Sequence, residues 1–260
     1  MIDTVCKAAR EGGRILLSHY NNIDSISIDT KQANDFVTSA DRASEKAIVE
    51  ILKENFPDHH IMAEEGEWDN NSSSLQWIID PLDGTNNYIH SFPVFAISIA
   101  LEVEKEIVLG VVYDPVKDEM FIAEKGKGAF LNGKKIEASK SGNLKHALVA
   151  TGFPFKWPEY FDIYMECFSD MFKHISDMRR TGAASLDLCY TSCGRCDAYW
   201  ELGLSPWDIA AGSIIAKEAR AVITDFNGEE NHVYSGKVLV ANKEIHSSLL
   251  EIIKKYFSEG

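Results

Sequence analysis

One stretch, Trp77-Ile78-Ile79-Asp80-Pro81-Leu82-Asp83-Gly84-Thr85, constrains this chain more than any other. Its apolar opening is a buried-strand signature, and it runs directly into carboxylates flanked by Pro and Gly, which predict a turn at that point. Glu64 follows a second short apolar run, His60 to Ala63, in the same way. Carboxylates at the ends of buried strands are costly unless something uses them. Hard divalent cations take such oxygen ligands, and two-metal hydrolases place the ions about 4 Å apart to serve attacking and leaving oxygens. Gly84 and Thr85, followed by Asn86 to His90, predict a short helix whose free backbone N–H groups point at an anion. A phosphate fits between the metals and that helix.

The surrounding sequence predicts where these positions sit. Val5, Ala8, Ala9, Ile15, Leu16 and Tyr20 recur at helical spacing, with Gly12-Gly13 as a close-packing point. A second helix starts at the capping groups Thr38, Ser39 and Asp41 and stops at Pro57. Asp69 to Ser74 reads as a loop. The runs Val94–Val103, Ile107–Tyr113, Met120–Glu124 and Ala129–Leu131 predict an antiparallel sheet, with a hairpin signal at Asn132-Gly133. Beyond residue 140, strands at Ala147–Thr151, Ala198–Glu201, Ala221–Thr224 and Val238–Ala241 alternate with helical patterns at Pro158–Met171, Ala183–Tyr190, Pro206–Ala219 and His246–Tyr256. That alternation predicts layered α and β. At 260 residues the chain fits one large domain or two half-sized lobes.

Composition excludes several partners. Lys and Arg number 26 against 40 Asp and Glu, a net charge of −14, and no stretch gathers enough basic residues to track a nucleic acid. No 18-residue apolar run spans a membrane. The first twenty residues intersperse Asp3, Lys7, Arg10, Glu11 and Arg14 among apolar ones and lack a signal peptide's apolar core. Four of the five Cys crowd into Cys167–Cys196, which suits reduced thiols in the cytoplasm better than a disulfide framework. Two near-motifs are set aside. Gly128 to Lys135 lacks the hydroxyl residue of a phosphate loop and reads as strand and hairpin, and Cys193-x-x-Cys196 has no second pair to complete a metal site.

Each acidic position has a plain structural reading by itself: Asp83 as a turn former, Asp208 as half of a capping box with Ser205 ahead of Pro206, Asp41 as a charge at a helix start. Jointly the functional reading is favoured. The spacing D-x-x-D-G-T, with Pro81 between, argues against the phospho-aspartyl turn D-x-D-G-T of haloacid dehalogenase-like phosphatases and for metal-activated water.

These motifs resemble the inositol monophosphatase family. The resemblance rests on Glu64-Glu65, on Trp77 through Tyr88, and on Tyr199-Trp200-Glu201 through Pro206-Trp207-Asp208 and Gly212. Asp35 to Asp41, Gly126 to Phe130 and Arg179 to Asp187 extend it over essentially the whole chain in family order. It implies an α/β chain layered as a five-layer α-β-α-β-α sandwich of the inositol monophosphatase and fructose-1,6-bisphosphatase type. The chain would then be one domain over 1–260, with lobes of approximately 1–140 and 141–260. It further implies a homodimer that hydrolyses small phosphate monoesters with Mg²⁺, two or three ions per active site, and that is lithium-sensitive.

Carried over by motif, Glu64, Asp80, the Leu82 carbonyl, Asp83 and Asp208 ligate the metals. Asp41 and Thr85, with Glu64 close by, orient and deprotonate the attacking water. Asp83, Gly84, Thr85, Gly182, Ala183, Glu201 and Asp208 meet the substrate, a small phosphorylated polyol or sugar. Ala183 stands where several relatives carry Ser or Thr. Inositol 1-phosphate is the first-choice substrate. Fructose 1,6-bisphosphate follows, served by Arg179, Arg180 and Lys156 if these are not simply structural, then histidinol phosphate or a 3′-phosphoadenosine nucleotide. A non-catalytic regulatory binding protein is the alternative from another class.

Overall fold

The computed structural model describes residues 1–20, 28–32, 35–66 and 74–257; residues 69–73 of the expected loop lie outside these. Helix α1 (Ile2–Tyr20) lays Val5, Ala8, Ala9 and Leu16 against the sheet and against its neighbour α2 (Ser39–Asn55). A side chain on Gly12 would meet Ile48 Cδ1 and Ser44 Oγ at 2.8 Å, so this glycine is what lets the two helices touch. Between them β1 (Ile28–Gln32) and β2 (Asp35–Thr38) pair antiparallel, and Thr38 at the end of β2 caps α2.

A seven-stranded sheet follows in chain order. It comprises β3 (His60–Ala63), β4 (Leu75–Asp83), β5 (Ala96–Val103), β6 (Glu106–Asp114), β7 (Glu119–Glu124), β8 (Gly128–Leu131) and β9 (Lys134–Ile136), with helix α3 (Thr85–Ile89) between β4 and β5. Only β3 and β4 run parallel. Strand alternation assigns its faces. Ile97, Ile99 and Leu101 of β5 meet α1 and α2, while Ala96, Ser98, Ala100 and, on β6, Gly110 face the other way. The small residues on that second face let another helix approach closely: a Cβ on Gly110 would lie 2.6 Å from the Ala211 carbonyl. Asn132 and Gly133, both at positive φ, turn β8 into β9, which disposes of the phosphate-loop reading.

The remaining elements are β10 (Leu148–Thr151), α4 (Phe161–Phe172), β11 (Asp177–Arg179), α5 (Ala184–Ser192), β12 (Ala198–Leu202), α6 (Pro206–Glu218), β13 (Val222–Thr224), α7 (His232–Ser235), β14 (Lys237–Ala241) and α8 (His246–Phe257). Their strands form a second sheet in the order β11-β10-β12-β14-β13. Helices α5 and α6 lie between the two sheets, and α6 is apolar on all sides because it is covered on all sides. The outer face of the second sheet packs Val149, Ala198, Trp200 and Leu239 against α4 and α8. The result is the α-β-α-β-α sandwich. The five cysteines are free thiols, and no helix among the described residues is long and apolar enough to cross a membrane.

Four elements were not anticipated from sequence: β1, β2, β11 and α7. Each is short and contributes little periodic apolar pattern. A further difference concerns the acidic turn. The strand does not stop at Asp80; β4 continues through Pro81 to Asp83 as a bulge, and the chain turns only at Gly84, in the left-handed region at φ 92°.

Candidate active site

The bulge in β4 is what brings two carboxylates to one face. Asp80 lies opposite Ser98 and Asp83 opposite Ala96, so three residues of β4 match two of β5. Without the extra residue, an odd separation would send Asp80 and Asp83 to opposite faces. Pro81, which has no N–H to give a ladder, sits inside the bulge, and its carbonyl accepts the Ser44 hydroxyl of α2 at 3.1 Å. Both carboxylates therefore face α6.

Ser98, opposite Asp80, donates its hydroxyl to the Trp207 carbonyl at 2.9 Å and so docks the first turn of α6 beside them. Asp208 is the next residue. Its Oδ2 accepts the Ser205 N–H at 2.7 Å, the capping interaction expected from sequence, with Pro206 at the first helical position. Carboxylate oxygens of Asp80, Asp83 and Asp208 all lie within 4.8 Å of one another. Asp83 is held by the Ala184 N–H at 3.2 Å and by the Ser185 N–H and hydroxyl at 2.7 and 2.5 Å, all from the start of α5. Asp80 accepts the Leu82 N–H at 2.9 Å.

Enclosure of this cluster in protein raises each group's pKa, and mutual repulsion adds to it. Asp80 is pushed well above the usual carboxylate range, Asp83 to about 6 and Asp208 to about 7. Among the described residues, no Lys or Arg forms an ion pair with Asp80 or Asp83. Three crowded all-oxygen donors are the chemistry of a hard divalent metal site, with Lys156 adding a positive charge near Asp208, so the residues fit the ion that the motifs imply. Glu64 emerges from β3 beside β4, its N–H donating to the Ile79 carbonyl at 3.2 Å, and it lines the same cleft.

Asp41 lies under the cleft floor. Its Oδ2 accepts the Thr38 N–H at 2.9 Å and the Thr38 hydroxyl at 2.5 Å, closing a capping box on α2. Its other oxygen faces the Thr85 hydroxyl at 3.2 Å, and that hydroxyl also lies 3.0 Å from the Leu82 carbonyl. Burial lifts the Asp41 pKa to about 6, near the range in which a carboxylate accepts protons at neutral pH. Thr85 opens α3 directly after Gly84, and both line the cleft.

The cleft has a volume of about 240 Å³. Its far wall is aromatic and basic: Phe153, Phe155, Trp157, Lys156 and Arg180 line it with Gly182, Ala184 and Glu201. Asn87 donates to the Val94 and Thr181 carbonyls at 2.8 and 2.9 Å, tying α3 to the segment just ahead of Gly182. Glu201 accepts the Tyr199 hydroxyl at 2.6 Å, and its enclosure raises its pKa to about 7.

The structure thus assembles Asp41, Glu64, Asp80, Leu82, Asp83, Thr85 and Asp208 in one place, with Gly84, Gly182 and Glu201 around the opening. Ala183, 1% exposed, lies beside Gly84, between Gly182 and Ala184, which line the cleft. The two arginines also separate. Arg179 pairs with Asp177 at 2.6 Å on the edge strand, whereas Arg180 stacks on the Phe155 ring at 5.6 Å and lines the cleft. Sequence reasoning missed Ser98 and Ser185. A lone Ser within the apolar run Ala96–Leu101 was the available signal for the first; nothing local marked the second.

The model of the inositol monophosphatase family matches residues 1–258. The chain is 38% identical over 261 residues to the Nus factor SuhB of Escherichia coli K12, covering 100% of this chain and 98% of that one. Among solved structures, the IMPase of Thermotoga maritima superposes with a TM-score of 0.89 at 36% identity, covering 98% of this chain and 97% of its own. A gene product described as an inositol monophosphatase–fructose 1,6-bisphosphatase gives 0.84 at 29% identity, with 99% of each chain covered. Fold and family define a phosphatase, and its cleft holds an acidic cluster. The chain belongs to the inositol monophosphatase family.

Proposed function

We propose that the chain hydrolyses inositol 1-phosphate to inositol and phosphate with Mg²⁺. The observation that carries this reading is the convergence of Asp80, Asp83 and Asp208 within 4.8 Å, beside the Asp41–Thr85 pair. Glu64, Asp80, the Leu82 carbonyl, Asp83 and Asp208 would hold two or three ions. Bound Mg²⁺ supplies Lewis-acid neutralisation of the phosphoryl charge and lowers the pKa of water. The chain's own residues do the rest. The Gly84 and Thr85 N–H groups hold the phosphate oxygens at the start of α3. The Thr85 hydroxyl orients the attacking water, and Asp41, lifted toward neutrality, takes its proton. Glu201 accepts a hydroxyl of the alcohol, and Asp83 and Asp208 flank the scissile oxygen.

The test is phosphate release from inositol 1-phosphate and fructose 1,6-bisphosphate, side by side, with Mg²⁺ and with EDTA. A higher kcat/KM for inositol 1-phosphate, abolished by EDTA, is expected. A preference for the bisphosphate would transfer the reading to a fructose-1,6-bisphosphatase, which Arg180 and Lys156 on the cleft wall favour. Absence of metal-dependent release from either would refute both. The reading includes a cytoplasmic, lithium-sensitive homodimer. Large exposed apolar side chains at Phe155, Trp157, Phe161 and Phe172 support self-association, which sedimentation tests.

A regulatory role is the second reading, supported by whole-length similarity to a protein named as a Nus factor. It separates from catalysis if the biological effect survives Asp80→Asn while phosphate release does not.

A further inference from the structure

Glu201 breaks an otherwise apolar face, and the reason it can lie where it does is a neighbour with no side chain. Strands β10 and β12 run parallel with Val149 beside Ala198, Ala150 beside Tyr199 and Thr151 beside Trp200. One step further places Gly152 beside Glu201. Alternation puts Ala150, Gly152, Tyr199 and Glu201 on the face toward the centre of the molecule, while Val149, Ala198 and Trp200 pack outward against α4 and α8. On the other flank β14 sets Val238 beside Glu201.

A Cβ built on Gly152 would lie 1.9 Å from Glu201 Cδ and 2.0 Å from each carboxylate oxygen. The carboxylate therefore leans across the end of β10, in the space any other residue would fill. Tyr199, fully buried beneath it, fixes this position through its hydroxyl at 2.6 Å. The backbone of Gly152 is outside the left-handed region, so alanine meets no conformational obstacle there; the three atoms nearest its methyl all belong to the Glu201 carboxylate. Because that carboxylate ends a flexible side chain, it can yield by roughly 1.5 Å, from 1.9 Å to an ordinary contact near 3.4 Å, and leave the fold intact.

We propose that Gly152 is a specificity-determining positioning residue, whose missing side chain forms with Tyr199 the socket that aims Glu201 at the leaving group's hydroxyl. This rests on the reading of Glu201 as the contact to the alcohol. Moving the acceptor by more than 1 Å breaks a hydrogen bond to a charged group but leaves the carboxylate cluster and the Asp41–Thr85 pair untouched.

The test is a cycle of wild type, Gly152→Ala, Glu201→Ala and the double variant. Each is assayed with Mg²⁺ on inositol 1-phosphate and on phenyl phosphate, whose leaving group offers no further hydroxyl. Gly152→Ala should lower kcat/KM for inositol 1-phosphate by about 10- to 100-fold, mainly through KM, with at least a tenfold smaller loss on phenyl phosphate. The double variant should be no worse on inositol 1-phosphate than Glu201→Ala. Melting provides the independent readout: Gly152→Ala lowers the midpoint, and the loss disappears in the Glu201→Ala background, where the added methyl no longer meets the carboxylate. Equal losses on both substrates, or additive effects in the cycle, overturn the proposal. If the wild type hydrolyses phenyl phosphate but not inositol 1-phosphate, the substrate reading has failed by itself. The melting cycle then decides for the socket, recovery supporting it and additivity overturning it.

Discussion

Replacing Asp80 by Asn should make the metal-free protein more stable while removing its response to Mg²⁺. Asn keeps the size of Asp, and its side-chain oxygen can still accept the Leu82 N–H. What disappears is one charge from a cluster whose oxygens lie within 4.8 Å of each other. At that separation and an effective dielectric near 20, one like-charge pair costs about 3 kcal/mol. The cluster can escape by binding a proton, which sets a ceiling. From an ordinary value of 3.8, protonating one Asp costs about 6 kcal/mol at pH 8 and only about 2 kcal/mol at pH 5. The expected gain at pH 8 is therefore about 3 kcal/mol and no more than about 6, a rise in melting temperature of about 6–12 °C for the lower figure.

The sign follows from linkage. The folded pKa of Asp80 is raised, so the folded state retains a proton that the unfolded chain releases above 3.8. Stability is thus lost as pH rises from about 4 through the folded values of the cluster, which for Asp83 and Asp208 are about 6 and about 7. Buried histidines slope the other way, but they are common to both proteins and cancel in the difference. The assay is thermal unfolding of wild type and Asp80→Asn in EDTA at pH 8 and pH 5, then at pH 8 with Mg²⁺. Wild type should gain on adding Mg²⁺ and the variant should not. An Asp80→Asn protein that melts at or below wild type in EDTA at pH 8, or whose advantage does not shrink at pH 5, would refute the electrostatic argument.

Three further outcomes are expected. Asp41→Asn should reduce kcat by at least about 100-fold with KM for inositol 1-phosphate nearly unchanged, since it removes a proton acceptor and not a phosphate contact; steady-state kinetics check this, and wild-type turnover would exclude Asp41 as the base. Ser185→Ala deletes the 2.5 Å hydroxyl bond to Asp83 while leaving both backbone donors, so the Mg²⁺ concentration for half-maximal activity should rise by about tenfold, read from a metal titration. His232 is buried with its pKa lowered to about 4, so it is neutral in the fold and its contribution is present above about 6.5 and lost as pH falls from there to about 4. Urea unfolding at pH 7 and pH 5 should show His232→Gln losing about 2 kcal/mol less than wild type on acidification.

The sequence carried Glu64, Asp80 and Asp83 because each sits at the end of an apolar run, and Asp41 and Asp208 because each sits in a helix-capping pattern; local pattern is enough to see both. It also carried the layers: Ile97, Ile99 and Leu101 alternating with Ala96, Ser98 and Ala100 specify two different faces. What local pattern could not carry was how Asp80 and Asp83 come to share one face. Pro81 and Gly84 read as a turn, whereas the β5 register shows a bulge, and a register belongs to two strands at once. The same holds for Ser98 reaching Trp207, for Asn87 reaching Thr181 and for Gly152 making room for Glu201, contacts between segments far apart in the chain. Arg179 and Arg180 are adjacent and alike in sequence, and only the edge of the second sheet decides that one pairs with Asp177 while the other turns into the cleft.

The capping readings of Asp41 and Asp208 turn out to be part of the functional reading rather than its rivals. In each case one carboxylate oxygen accepts the backbone N–H of the residue that starts the helix, Thr38 at 2.9 Å and Ser205 at 2.7 Å. That bond orders the side chain without using its second oxygen. For Asp41 the second oxygen meets the Thr85 hydroxyl, and Asp208 belongs to the carboxylate cluster. A helix N-terminus also supplies the positive end of a dipole, which lowers the cost of holding a carboxylate in an enclosed site before any cation arrives. Ordering three acidic side chains of one sign next to each other would otherwise be opposed by both repulsion and lost side-chain freedom. Asp83 solves the same problem with the start of α5, through the Ala184 and Ser185 N–H groups. Three helix starts, α2, α5 and α6, thus hold Asp41, Asp83 and Asp208, whereas Asp80 accepts the Leu82 N–H of its own strand. Its neutralisation should accordingly relieve the metal-free fold more than neutralising Asp83, both of whose oxygens accept backbone N–H groups, so that its asparagine form would turn an amide toward a backbone donor.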